Sequence, residues 1–167
     1  MPNTPIVNAG VKYVNGLELV RTGNKTMTVA AGAARNSTNV NDIVLSTLVT
    51  INGLQVGANG VDLAALVLSR MYAVYLIGDS TKYNDTAAIL SLNATQPSLP
   101  GGYDMYRRIG WVLTDGSANL LQFWQFGEGQ ERTYYYDVAI SELSAGASTT
   151  FAAVDLATSV PPIATDV

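Results

Sequence analysis

The chain has 167 residues, of which 13% are charged, and it carries a net charge of −4 with neither cysteine nor histidine. The length suits one domain with a hydrophobic core, and the missing cysteine and histidine exclude disulfides, thiolate chemistry and the commonest general base. Nucleic-acid binding is not expected either, because phosphate neutralisation requires a Lys/Arg surface and no basic cluster is longer than Arg107-Arg108.

Residues 1–16 are predicted to form an extended N-terminal arm. They contain two prolines, which favour extended backbone, and show little periodicity. They also contain several apolar residues and a single charge, which is not typical of a free tail. We therefore expect the arm to lie against another subunit or another protein, with Ile6 and Val7 as interface candidates. The alternative is that residues 11–14 add an edge strand to their own domain.

Alternating polar and apolar residues predict short strands through the first half of the chain. Residues 17–31 read as a β-hairpin that turns near Gly23. Residues 32–41 are predicted to be a polar loop, and residues 42–51 another strand. The only predicted helix covers residues 61–69, where leucines and valines recur at helical spacing.

The segment Met71–Gly78 is predicted to be the central strand of the domain. It is eight residues long, uncharged and rich in β-branched and aromatic side chains, and a Gly-Asp turn signal ends it. Such a continuous apolar run favours a strand that is buried on both faces.

Further strands are predicted at residues 87–92, 106–114, 119–126, 132–140 and 149–156. The strands at 106–114 and 119–126 are predicted to pair across an Asp115-Gly116 turn, because Asp-Gly readily adopts positive φ. In the strand at 106–114, alternation is expected to place Ile109, Trp111 and Leu113 on one face.

These elements predict an all-β protein, an antiparallel β-sandwich of jelly-roll type with an extended N-terminal arm. Eight to ten short strands without a βαβ rhythm are typical of that class. The predicted organisation is the arm at 1–16, the sandwich domain at 17–160 and a C-terminal tail at 161–167. No apolar run approaches the roughly 20 residues of a membrane span, and the N-terminus lacks a signal-peptide pattern.

Two groups of acidic residues were weighed as catalytic or metal sites. Glu128 and Glu131 flank a turn, as the two carboxylates of a small glycan hydrolase would. A calcium site was considered in the loop that contains Asp79, Ser80, Asn84 and Asp85. Acidic residues at turns are more often solvated turn formers, so we predict no catalytic residue, no metal and no cofactor.

Aromatic residues on three successive strands give the strongest functional signal. Alternation turns half of them outward, and an exposed aromatic cluster usually marks an interface. A platform for stacking sugars is the alternative. The predicted interface residues are Trp111, Trp124, Phe126, Tyr134, Tyr135 and Tyr136.

Four segments, in this order, resemble a group of tailed-bacteriophage virion proteins of the tail-fibre or head-appendage kind. They are Thr28–Arg35, Tyr72–Asp79, Leu99–Tyr103 and Arg107–Val112. The resemblance implies a structural protein of the virion, made in the host cytoplasm, with no catalytic motif. We therefore predict a homo-oligomer, most simply a trimer, that attaches to tail or capsid proteins. The alternatives are a capsid decoration protein and a small module that binds or hydrolyses a glycan of the host surface.

Overall fold

The computed structural model describes residues 12–83, 85–129, 131–143, 146–164 and 167. This part of the chain is all-β, with eleven strands and no helix, as the sequence predicts at the level of class. The strands are β1 Val14–Gly16, β2 Leu19–Arg21, β3 Thr26–Val29, β4 Gly32–Arg35, β5 Asp42–Leu45, β6 Val49–Asn52, β7 Met71–Gly78, β8 Thr86–Ser91, β9 Met105–Leu113, β10 Phe123–Phe126 and β11 Thr133–Tyr136.

The strands form four small antiparallel sheets. Three of these have three strands, in the orders β1-β4-β5, β2-β3-β6 and β8-β7-β9, and β10 pairs with β11 alone. The predicted hairpin is confirmed as β2 and β3, with Val20 opposite Thr28. Residues 14–16, which fall at the end of the predicted arm, form β1 and pair with β4. Ile6 and Val7 lie outside the described residues.

The central strand is confirmed with the predicted bounds, Met71–Gly78. It lies between β8 and β9, and every residue after Met71 is buried. Tyr72, Val74 and Leu76 point into the larger hydrophobic core, which they share with residues from β1 to β6. Tyr75 and Ile77 point into a smaller cluster on the opposite face. Both faces of this strand are therefore covered, which explains its uninterrupted apolar sequence.

The smaller cluster is closed by the connection between β8 and β9. Leu99 and Tyr103 of that connection pack against the second face of the central sheet. The Tyr75 hydroxyl donates a hydrogen bond of 2.9 Å to the carbonyl of Asn93, and its ring meets Tyr106 edge-on. This Pro/Gly-rich connection thus covers the second face of the central sheet.

A β-bulge in β9 changes which side chains share a face. Val74 pairs with Gly110 but Tyr75 pairs with Arg108, so Ile109 is an extra residue in the ladder. A bulge places two residues opposite one and breaks the alternation of the strand. Ile109 therefore lies in the larger core and Trp111 in the smaller cluster. The prediction that they share a face is wrong, because alternation alone cannot reveal an inserted residue.

Two predicted segments differ from the observed strands in the first half of the chain. The predicted loop 32–41 begins with β4, whose Gly and Ala residues have low strand propensity. A Cβ on Gly32 would meet the carbonyl oxygen of Asn15, so the small residue permits the close approach of β1. The predicted strand 42–51 is divided into β5 and β6, which belong to different sheets.

The helix predicted over 61–69 is wrong, because backbone groups of this segment are satisfied by neighbouring loops and strands. The Asp62 N–H donates to the Leu90 carbonyl and the Leu66 N–H to that of Gly53. Leu66 is buried against Gly53, whereas Leu63 and Leu68 are exposed. The apolar residues thus have helical spacing without sharing a covered face.

The predicted strands near the C-terminal end are shorter or missing. Residues 119–126 pair with β9 only through a bridge between Thr114 and Leu120, and the regular strand is confined to β10. The strand predicted over 132–140 is likewise confined to β11. Residues 149–156 form no strand in the structure and pair with no described strand.

Candidate interaction surface on the β10–β11 ribbon

The two-stranded sheet of β10 and β11, called the ribbon below, carries most of the predicted interface residues. Trp124 lies opposite Tyr135, and Phe126 lies opposite Thr133. Both strands alternate between one buried or half-buried face and one exposed face. Aromatic side chains favour pleated backbone and pack across it, which explains why these residues form a ribbon.

The inner face of the ribbon is fastened to the domain. Phe123 is buried in the larger core, and Tyr134 and Tyr136 pack against that core. The Gln125 side chain links two parts of the chain: its amide donates to the Tyr134 hydroxyl at 2.8 Å, and its oxygen accepts from the Leu19 N–H at 3.0 Å. These contacts hold the ribbon against β2 and fix which face points outward.

Burial on this inner face raises the pKa values of two tyrosine hydroxyls. Burial raises the pKa of Tyr136 to about 12, and the neighbouring Tyr134 adds to the shift. The pKa of Tyr134 is also raised, mainly by burial, although its hydrogen bond with Gln125 acts in the opposite direction. Both hydroxyls therefore stay protonated at neutral pH and belong to the interior of the domain.

The outer face of the ribbon is an exposed aromatic surface. Trp124, Phe126 and Tyr135 are 47%, 56% and 60% exposed, respectively. The rings of Phe126 and Tyr135 meet edge-on, 5.6 Å apart, and Thr133 completes a shallow depression with them. Among the residues that the structure describes, no charged side chain lines this depression. We call Trp124, Phe126, Thr133 and Tyr135 the outer aromatic face.

The structure places Trp111 elsewhere. Its side chain is only 6% exposed and belongs to the smaller core cluster. The Arg108 guanidinium lies 5.0 Å from the centre of its ring, a cation–π arrangement, and donates to the Ala94 carbonyl. Of the predicted interface residues, three therefore form the outer aromatic face, Tyr134 and Tyr136 line the inner face, and Trp111 lies in the core.

A broad cleft separates the ribbon and β9 from the C-terminal part of the chain. Its volume is about 1140 Å³, and its lining includes Trp111, Tyr134, Tyr136, Leu156 and Val160. Beyond it, the described C-terminal residues leave several large apolar side chains exposed. These exposed residues are Val138, Ile140, Leu143, Phe151, Val154, Ile163 and Val167. This surface was not predicted from the sequence, in which residues 149–156 are predicted to be a strand.

The acidic candidates do not form a convergent site. Glu128 and Glu131 are both exposed at the turn that joins the strands of the ribbon. Gly127 in this turn has a φ of 92°, and a Cβ there would meet the Glu131 carbonyl oxygen, so the segment is built for tight chain reversal. Each glutamate therefore has the position of a solvated turn residue.

In the loop that contains the alternative calcium site, a lysine forms ion pairs with both aspartates. Lys82 Nζ lies 3.1 Å from Asp79 and 3.5 Å from Asp85. Hydrogen bonds from Thr81 and the nearby Lys82 lower the pKa of Asp79 to about 2. Asn84 lies outside the described residues, and within them no group of three or more acidic, His or Cys residues could hold a metal ion.

One buried ionic contact was not foreseen. Arg35 and Asp42 face each other across β4 and β5, and Arg35 Nε lies 2.8 Å from Asp42 Oδ1. The Tyr13 ring lies 5.7 Å from the same guanidinium, and burial, followed by a hydrogen bond with Asp42, raises the pKa of Tyr13 to about 12. Because the sequence analysis placed Arg35 in a loop, its partner could not be identified.

No protein-family model, no curated protein and no solved structure matches this chain. In the described part of the chain, no helix is long and apolar enough to cross a membrane.

Proposed function

We propose that this protein is a structural component of a bacteriophage virion, a tail fibre or fibre-like appendage that works as a homo-oligomer. The observation that carries the proposal is the outer aromatic face, an uncharged and exposed surface on a ribbon whose other face is fastened to the core. Contiguous exposed aromatic surfaces usually mark protein interfaces, and closed symmetric oligomers bury them. The four segments that resemble virion proteins supply the biological setting.

The proposal extends to the architecture. We propose that the three-stranded sheets pack as a β-sandwich of jelly-roll type with a trimeric assembly. In support, the larger core joins side chains from β1 to β6 with one face of β7, β8 and β9. A Cβ on Gly78 would come within 3.0 Å of the Ile43 side chain, so β7 and β5 lie in close contact. Facing sheets with a shared core are the basis of a sandwich.

A carbohydrate-binding module is the second candidate, because exposed Trp and Tyr rings also stack on sugars. The chemistry of the outer aromatic face favours a protein partner instead. Sugar sites combine a ring with polar groups that bind hydroxyls. Here Thr133 is the only aliphatic polar side chain in the depression, and Phe126 and Tyr135 lie edge-on rather than coplanar.

Light scattering on the purified chain tests the oligomer. We expect a mass that is a whole multiple, and most simply three times, of the 17.7 kDa chain. The Trp124→Ala variant is expected to shift this mass toward the monomer, whereas Leu54→Ala, at an exposed residue outside the ribbon, is not. A strict monomer at high concentration for the unmodified chain contradicts the proposal.

Electron microscopy of virions labelled with antibodies against the chain tests where the protein lies in the particle. Label on tails or appendages agrees with the proposal, and label distributed over the capsid instead favours a decoration protein.

A glycan array tests the second candidate, the carbohydrate-binding module. Binding of a glycan that is lost in Trp124→Ala while the chain remains monomeric favours the carbohydrate module.

A further inference from the structure

The C-terminal segment contains a stretch of strand-like sequence without a strand partner. Residues 149–154 include two threonines, a phenylalanine and a valine, which favour strands, yet no strand forms there. Within the described residues, no backbone hydrogen bond joins residues 151–155 to another part of the chain. Phe151 is fully exposed and Val154 is partly exposed. The backbone groups of this segment are therefore free to pair with the edge of another sheet, and its exposed aromatic ring is free to pack on a second aromatic surface.

The ribbon provides the complementary feature. Only β10 pairs with β11, so in the described structure the other edge of β11 carries no strand. No described hydrogen bond from the backbone of Tyr134 or Tyr136 reaches another segment on that side. An open edge of this kind is a template for an added strand. The outer aromatic face lies directly on this short sheet.

We propose that residues 149–154 of one copy add as a third strand to the β11 edge of a second copy, with Phe151 on the outer aromatic face. This inference rests on the proposed homo-oligomer and names the surfaces that would join its subunits. Neither residues 147–154 nor the outer aromatic face carries a charge, so burying one against the other leaves no unpaired charge.

The area that this contact can bury favours a closed ring, in which every copy donates a segment and receives one, over a pair in which one copy only donates. An aromatic side chain buries about 150–250 Å² when fully covered, so Phe151 on three half-exposed rings buries on the order of 500 Å². A specific interface needs roughly 1,000 Å². When every copy of a closed ring both donates a segment and receives one, each copy buries on the order of 500 Å² of aromatic surface, twice the average per copy of a one-way pair, and the other side chains and the backbone of the added strand bury the rest.

The absence of native cysteine allows a direct test by disulfide cross-linking. Ala153→Cys and Thr133→Cys place one thiol on the segment and one on the ribbon, and they keep Phe151 and all three rings of the outer aromatic face. The two variants are purified separately, one of them isotope-labelled, then mixed and oxidised. Because each chain has one thiol, a mixed disulfide can form only between copies.

We expect the mixed disulfide to form at least tenfold faster than with Leu54→Cys, an exposed control, in place of Thr133→Cys. Adding Phe151→Ala to the Ala153→Cys chain is expected to remove this excess, whereas Leu143→Ala, at another exposed residue of the C-terminal segment, is not. Yields equal to the Leu54→Cys control overturn the inference. A third chain that carries both Ala153→Cys and Thr133→Cys provides a second check. If its disulfide forms within one chain at low protein concentration and no disulfide forms between chains, the inference is also overturned.

Light scattering on the same unmodified chain separates this inference from the proposed function. An oligomer that shows no excess cross-link leaves the proposed function in place and overturns the strand exchange. A chain that is monomeric at high concentration overturns both.

Discussion

The central sheet and the ribbon are both antiparallel and aromatic, but they differ in what covers their second face. Tyr75 on β7 is enclosed by the connection between β8 and β9. Tyr135 on β11 also points away from the larger core, yet it is 60% exposed. Both side chains are tyrosines on a strand face that points away from the larger core, so the difference comes from the presence or absence of a segment across the sheet. Burial of an aromatic residue is therefore decided by topology as much as by its own strand.

The largest expected effect separates the two regions by stability. Leu76→Ala in β7 should lower the free energy of unfolding by about 2–5 kcal/mol, because it opens a cavity in a fully buried site. Trp124→Ala on the outer aromatic face should change it by less than about 0.5 kcal/mol in the monomer, because surface substitutions cost little. Urea unfolding at low protein concentration measures both. Equal losses would show that the ribbon belongs to the core after all.

The junction between the two regions should be sensitive at Gly110. A Cβ there would meet the Leu19 side chain and the Tyr134 hydroxyl, so Gly110→Ala should destabilise the protein by about 1–3 kcal/mol through overpacking. Gly116→Ala is the matched control, because nothing lies within 4 Å of a Cβ at that turn. Thermal unfolding of both variants provides the measurement. An unchanged transition for Gly110→Ala would mean that the ribbon does not pack on β9 as described.

A smaller effect is expected from the hydrogen bond that fastens the ribbon. Tyr134→Phe removes the hydroxyl that accepts from Gln125, and this should cost about 1 kcal/mol. Tyr135→Phe, on the outer aromatic face, should be neutral in the isolated chain. The pair is compared by chemical denaturation. A loss in Tyr135→Phe that equals the loss in Tyr134→Phe would contradict the assignment of inner and outer faces.

The smallest effect concerns alkaline pH. The pKa of Tyr136 is raised by burial from its ordinary value of 10.0 to about 12, so the unfolded chain loses this proton more readily. The stabilising contribution is complete below pH 10 and is lost as pH rises toward 12. Tyr136→Phe should therefore lose less stability between pH 10 and pH 12 than the unmodified chain. Identical alkaline profiles in stability measurements would show that this ring is not buried.

The strands with strong apolar or alternating patterns could be predicted from the sequence, and the central strand could be predicted to the residue. Gly32–Arg35 could not, because its strand state depends on close approach to β1 rather than on propensity. The bulge at Ile109 was also inaccessible, since an extra residue is visible only once its partner strand is known. Both cases show tertiary contacts overriding local pattern.

Tertiary contacts also limited how much of the candidate site could be predicted from the sequence. Alternation correctly indicated that about half of the aromatic residues on β10 and β11 face outward, but not which half or what covers them. Trp111 was assigned to the same surface because its strand looked equivalent, and only the smaller core cluster distinguishes it. Residues 149–156 are predicted to be a strand from the sequence, yet they pair with no described strand. A strand pattern records the capacity to pair and does not identify the partner.

The order of strands in the central sheet has a consequence for synthesis on the ribosome. β7, β8 and β9 follow one another in the chain, so this sheet has all its strands once Leu113 has emerged. Translation at about 5–20 residues per second delivers the ribbon, which ends at Tyr136, roughly 1–5 s later. The adhesive aromatic residues thus emerge onto a framework that can already be folded. Of the larger core, only Leu120, Phe123 and the two inner-face tyrosines remain to be added at that point, so we expect most of each core to be available before the outer aromatic face is exposed.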